Sequence, residues 1–224
     1  EWYLAALDKK SGVVVWKTPR VDQTRSYVTP LLREVQGNMQ AVMAGSKCVA
    51  GFDPISGKRL WWVEGPTEQF VASMVHDSSH FYLTAGFPTY HVMAIRHGGQ
   101  QDVTESHVSW HVNDAKSYVP SPVLANNLLF VADDRGIAHC FDPADGEHLW
   151  RARLGPHFSA SLITAEGLVY FTADDGATTI MRAAREPIVL QVNELGERVY
   201  ASPAISQGEL FLRGTDHLFC ISQK

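Results

Sequence analysis

Short apolar runs, each closed by a polar turn, set the pattern of this chain. Leu128-Leu129-Phe130-Val131-Ala132 leads into Asp133-Asp134-Arg135-Gly136, and Leu168-Val169-Tyr170-Phe171-Thr172 leads into Ala173-Asp174-Asp175-Gly176. Runs of this length, with β-branched and aromatic residues and with Asp and Gly at their ends, predict strands joined by tight turns. No helical periodicity competes over a comparable length. No apolar run reaches the roughly 18 residues that a membrane-spanning helix needs.

The pattern repeats. Ala6-Leu7-Asp8-Lys9-Lys10-Ser11-Gly12-Val13-Val14-Val15-Trp16 recurs around Asp53, Gly57 and Trp61, and again around Asp142, Gly146 and Trp150. In each copy Gly follows Asp by four residues and Trp follows it by eight. The aspartates are 45 and 89 residues apart, so a further copy is due near Arg96. Met93-Ala94-Ile95-Arg96-His97-Gly98-Gly99 stands there in degenerate form, with a lengthened turn before Trp110. Each Asp is placed to accept hydrogen bonds from its own turn, each Gly to supply a positive φ, and each Trp to bury its ring between neighbouring units.

A second feature lies upstream of each hairpin. Thr29-Pro30-Leu31, Ser73-Met74-Val75, Ser121-Pro122-Val123, Ser161-Leu162-Ile163 and Ser202-Pro203-Ala204 follow one another at intervals of 44, 48, 40 and 41 residues. An aromatic residue precedes each by two or three positions: Tyr27, Phe70, Tyr118, Phe158 and Tyr200. Each unit thus reads as four strands, A to D, and four-stranded units at this period predict an all-β fold, a β-propeller of antiparallel blades. About five blades are expected in a single domain over 1–224, in units near 1–17, 27–62, 70–112, 118–154, 158–192 and 199–224. The chain opens on a C–D pair and ends on an A–B–C set, and open blade edges of that kind invite self-association.

Composition narrows the function. With 45% hydrophobic residues, 224 residues bury a substantial core without metals or disulfides. A net charge of −5 argues against a nucleic-acid surface. Cys48, Cys140 and Cys220 form no Cys-x-x-Cys pair and sit in strand-like runs, which predicts small buried hydrophobes. Glu1 to Asp8 lack the basic start and apolar stretch of a signal peptide.

The pattern Ala/Gly-x-Asp-x-x-Ser-Gly-x-x-x-Trp resembles the repeat of the pyrroloquinoline-quinone-type propellers. It is strong at Asp8, Gly12, Trp16, Asp53, Gly57, Trp61, Asp142, Gly146 and Trp150, and departs at Asp145 and Cys140. That superfamily holds quinoprotein dehydrogenases and the non-catalytic outer-membrane assembly lipoprotein BamB. The resemblance implies a ring of seven or eight blades, of which this chain would be a part, an unusually small closed ring being the alternative, and a bacterial periplasmic or extracytoplasmic setting. In the dehydrogenases it also implies a vicinal Cys-Cys pair, a Trp beneath the quinone and Glu, Asn and Asp around calcium. This chain has no adjacent cysteines and no Asn/Asp cluster on a strand A, so neither quinone nor calcium is expected, and the reading leans away from an enzyme toward a protein-binding scaffold. A fragment of a quinoprotein dehydrogenase is the alternative.

The D–A and B–C loops should share one face, carrying Arg20, Asp22, Arg25, Glu64, Glu68, Asp114, Lys116, His157, Glu194 and Arg198. A polar, sign-mixed face of this kind suits a protein partner or a small polar ligand. Asp133-Asp134 and Asp174-Asp175, 41 residues apart, read as equivalent turn caps. The insertion 86–91 makes Phe87, Tyr90 and His91 the candidate recognition loop, a loop packed on its neighbour being the alternative. No metal site is expected: His107 and His111 would stand about 13 Å apart on one strand, and His76 and His80 across a turn have no third ligand. Gly51 to Lys58 mimics a phosphate loop with the wrong spacing and reads as a hairpin.

Overall fold

A computed structural model describes residues 3–20, 26–45 and 47–222. The repeated hairpins are built as their residues dictate. Asp8 Oδ1 accepts the Lys10 and Ser11 N–H groups, Asp53 Oδ1 those of Ile55 and Ser56, and Asp142 Oδ1 that of Ala144. Gly12, Gly57 and Gly146 take φ of 73°, 74° and 78°, and each N–H bonds back to the carbonyl of its Asp. Gly51 to Lys58 is one of these hairpins.

Six antiparallel sheets follow in chain order, numbered here as blades I to VI. Blade I pairs β1 (Tyr3–Leu7) with β2 (Val14–Pro19). Blade II holds β3 (Leu31–Val35), β4 (Asn38–Gly45), β5 (Cys48–Phe52) and β6 (Arg59–Glu64). Blade III begins with β7 (Val75–His76), β8 (His80–Ala85) and β9 (His91–Arg96). The chain then leaves it for β10 (Gln101–Asp102) and a single helical turn, α1 (Thr104–His107), before β11 (Val108–Val112) completes the blade. Blade IV is β12 (Val123–Ala125), β13 (Leu128–Ala132), β14 (Ile137–Phe141) and β15 (His148–Arg153). Blade V is β16 (Ile163–Ala165), β17 (Leu168–Thr172), β18 (Ala177–Arg182) and β19 (Val189–Glu194); blade VI is β20 (Ala204–Ser206), β21 (Glu209–Arg213) and β22 (Leu218–Ile221).

The core lies in the joints between blades. On β13, Leu129 and Val131 pack back toward Tyr82, Val92, Ala94 and Trp110 of blade III, whereas Phe130 and Ala132 pack forward toward Val169, Phe171 and Met181 of blade V. A strand buried on both faces has no polar side to show, which is why its sequence is an unbroken apolar run.

The degenerate copy near Arg96 is a true one: Ala94 pairs with Trp110, as Ala6 pairs with Trp16 and Cys140 with Trp150. Its lengthened turn does something the four-strand period did not indicate. β10 adds to the outer edge of β6 as a parallel fifth strand, Gln101 opposite Trp61 and Asp102 opposite Trp62, and so covers an edge that would otherwise be open. The cysteines also divide. Cys140 is buried, with its thiol pushed up to about 12 by desolvation, but Cys48 is half-buried and Cys220 exposed, against the expectation of three core residues. Among the described residues blade VI holds three strands, and Cys220 lies on the third, β22.

Candidate binding surface

The D–A loops and B–C turns meet on one face. The Asp134 N–H donates to Lys116 O, that of Asp174 to His157 O and that of Thr215 to Arg198 O, one tie in each of blades IV, V and VI. Side chains reinforce them: Asp134 Oδ1 accepts the Tyr118 and Val119 N–H groups, and Asp174 Oδ1 that of Ser159. Asp134 and Asp174 are therefore the structural equivalents, and the two Asp doublets are staggered by one residue instead of matching. Asp133 lies one residue earlier in the same turn, buried, and caps Arg135 and Ile137; Asp175 caps Ala177.

The aromatic residues ahead of each strand A separate by register. Three positions before the Ser/Thr the side chain turns inward, fully for Phe70, Phe158 and Val199 and halfway for Tyr118. Two positions before it the side chain faces out, leaving Tyr27 57%, Val119 38% and Tyr200 49% exposed. The serines themselves tie one blade to the next, a role their smallness alone did not reveal. The Ser73 N–H donates to Ser121 Oγ, that of Ser121 to Ser161 Oγ, and that of Ser161 to Ser202 Oγ.

The insertion after β8 rests on this framework. Phe87 O accepts the Glu68 and Gln69 N–H groups and the Thr67 hydroxyl, which fixes the loop to the II–III connection. Gly86 runs against the Cα and Cβ of Tyr118, where a side chain would have no room. Tyr118 donates its hydroxyl to Gln69 Oε1 at 3.0 Å, and the Tyr27 N–H donates to Phe70 O. Tyr27, Gln69, Phe87, Tyr118 and Val119 thereby form one held cluster with exposed aromatic faces. Burial and the neighbouring Tyr27 raise the Tyr118 phenol above its ordinary range, so it stays a neutral donor.

The three residues of the candidate recognition loop do not stay together. Phe87 is exposed on the cluster and Tyr90 is half-buried, but His91 is buried at the head of β9, its Nδ1 2.7 Å from His111 Nε2. His107 sits in α1, so it and His111 are not two positions on one strand. His76 and His80 take different partners, Asp77 O for the first and Ser79 with Ser109 for the second. Along the same face the surface is sign-mixed, with Lys47 facing Glu68 at 3.8 Å, His157 facing Asp174 at 2.9 Å and, in blade VI, His217 facing Glu197 at 3.0 Å. The Glu197 carboxylate raises His217 above the ordinary imidazole range. Asp22 and Arg25, also expected on this face, lie outside the described residues.

Two other features could hold ligands. A cleft of about 590 Å³ between blades I and II is floored by Met43, Phe52 and Trp62 and rimmed by Arg20, Arg59 and Glu64, with Arg59 stacked over Trp62 at 4.0 Å. It shares no residue with the aromatic cluster. Among the described residues, Asp142, Asp145 and Glu147 converge as three carboxylates, and Arg185 from blade V supplies their counter-charge, 2.6 Å from Asp142 and 3.5 Å from Glu147. Among the described residues no helix is long and apolar enough to cross a membrane.

The fold has close relatives in shape but not in sequence. The crystal structure of BamB from Moraxella catarrhalis superposes with a TM-score of 0.72 at 12% identity, over 97% of this chain and 66% of that one. A chain of the mitotic checkpoint complex superposes with a TM-score of 0.70 at 13% identity, over 97% and 68% respectively. The present chain thus spans about two thirds of either. No curated protein sequence matches it. The family described as outer membrane protein assembly factor BamB matches over residues 3–147, 99–186 and 136–223. Repeat, blade architecture and sequence family agree, and the chain belongs to the BamB family of propellers.

Proposed function

We propose that this chain is a non-enzymatic protein-binding scaffold of the bacterial cell envelope, acting in outer-membrane protein assembly on the extracytoplasmic side. The observation that carries this reading is the cluster of Tyr27, Phe87 and Val119, held in place by Tyr118 and Gln69 and left exposed among mixed charges. Rigid aromatic anchors within a polar rim are the usual make-up of a binding hot spot, because little side-chain entropy is lost when a partner covers them. The residues present do not fit a quinone site. Cys48, Cys140 and Cys220 lie on three separate blades, and the starts of the inner strands carry serines engaged with one another.

A photo-reactive amino acid at Phe87 of the full-length protein in the living bacterium tests the reading. The expected result is an adduct identified by mass spectrometry as an outer-membrane assembly protein. Tyr27→Ala should weaken that interaction by about 2 kcal/mol, roughly thirtyfold. Quinone- and calcium-dependent dye reduction by the full-length protein, without such an adduct, would assign a dehydrogenase instead.

A further inference from the structure

We propose that His91 and His111 form a binding site for a divalent transition-metal cation of the zinc and copper class at the outer edge of blade III. The two residues are 20 apart in sequence, and the pairing of β9 with β11 aims their ring nitrogens at each other, His91 Nδ1 to His111 Nε2 at 2.7 Å. Two nitrogens bound to one such cation at about 2.0–2.1 Å stand roughly 2.9 Å apart at a square-planar angle and about 3.3 Å apart at a tetrahedral one, so the pair needs to open by about 0.2 to 0.7 Å. His111 is exposed, which gives it room to move and gives the cation a route in.

The surroundings favour a cation at this point. Thr89 Oγ1 lies 2.6 Å from His91 Nε2, and in the tautomer in which Nε2–H donates to it the Nδ1 lone pair is directed at His111. A partner on the far nitrogen is how metal-binding histidines are usually oriented. The proton now shared between the rings moves to His111 Nδ1 when the cation takes its place, with no net release. Asn113, whose Nδ2 is 3.4 Å from His91 Nδ1, flanks the open side, where solvent or a group from a bound partner completes the coordination. Blade IV offers a natural control, His139 Nδ1 to His148 Nε2 at 3.1 Å, in which His139 is 2% exposed and both rings stack on Phe141.

Calorimetric titration of the intact chain with Zn²⁺ alone tests the site. The expected result is one saturable equivalent, lost in His111→Ala, weakened about tenfold in Thr89→Val, and unchanged in His148→Ala. Because His111 is exposed, its replacement leaves the fold intact, which circular dichroism verifies. With Cu²⁺ as probe, electron paramagnetic resonance should report two nitrogen ligands in the unaltered chain. No saturable binding, binding that survives His111→Ala, or loss in His148→Ala alone would each overturn the assignment.

Discussion

The joint between blades III and IV and the joint between blades II and III each carry the tryptophan of a C–D hairpin and are closed in different ways. At III–IV the Trp110 indole N–H donates to Pro143 O at 2.8 Å, in the C–D turn of the next blade, and the ring lies over Gly146. Trp16 does the same at I–II, donating to Pro54 O at 2.9 Å with its ring over Gly57, and Trp150 donates to Ala184 O at 3.2 Å at IV–V. At II–III the turn that should receive Trp61 has become the insertion that carries β10. The Trp61 ring still stacks on Phe81 of blade III, but its N–H turns back to Gln40 Oε1 in its own blade, at 2.8 Å and fully buried. The Trp sits in the motif, but the partner of its N–H is set by the turn of the following blade.

The glycines break this comparison with the largest expected effect. Gly146 and Gly12 share the left-handed conformation, but only Gly146 lies beneath a tryptophan, and Gly12 has open space where a Cβ would be. Gly146→Ala should cost roughly 3 kcal/mol, backbone strain plus overpacking, and Gly12→Ala about 1 kcal/mol, strain alone. Denaturant unfolding measures both. Equal losses would mean that the glycines serve the turn and not the joint.

Removing the indole N–H while keeping an aromatic ring sharpens the distinction. Trp61→Phe leaves Gln40 Oε1 buried without its donor and should cost about 2 kcal/mol, most of it recovered when Gln40 is replaced by Leu in the same chain. Trp110→Phe frees a turn carbonyl near the surface and should cost about 1 kcal/mol. A larger loss at Trp110 would show that the latch between blades outweighs the buried bond within one.

The sequence made the blades legible because their strands are short, doubly buried and separated by turns whose Asp and Gly have local jobs. Those jobs involve neighbours within four residues, so no knowledge of the fold is needed to assign them. The aromatic residues before strand A were visible as well, but the difference between two and three positions, which decides whether Tyr27 faces solvent or Phe70 fills the core, emerges only once the strand register is fixed. Gln69 gave no signal, because its partner Tyr118 is 49 residues away. The burial of His91 leaves no local signal for the same reason: its partner His111 stands on another strand, 20 residues on. The turn between Arg96 and Trp110 announced an insertion by its length, but not that the insertion would cross to blade II.

Acid should separate the joints with the smallest effect. His97, in the insertion at II–III, lies against Phe81 with ring centroids 4.1 Å apart, and His148 at III–IV lies against Phe141 at 4.6 Å. Burial lowers both below the ordinary imidazole range, whereas His157 at IV–V is about half exposed and faces Asp174. The folded state therefore binds these protons less readily than the unfolded chain does. Stability is full above the unfolded value near 6.5 and declines as pH falls from there toward the lower folded values. Hydrogen exchange between pH 7 and pH 5, corrected for the intrinsic rate, should show protection falling on β6, β9 and β14 while β17 and β18 keep theirs. His97 has its Nε2 buried without a partner, so His97→Phe should flatten the response at II–III and leave III–IV unchanged. A uniform loss over all the blades would mean that the joints open together and that their different construction has no bearing on how they come apart.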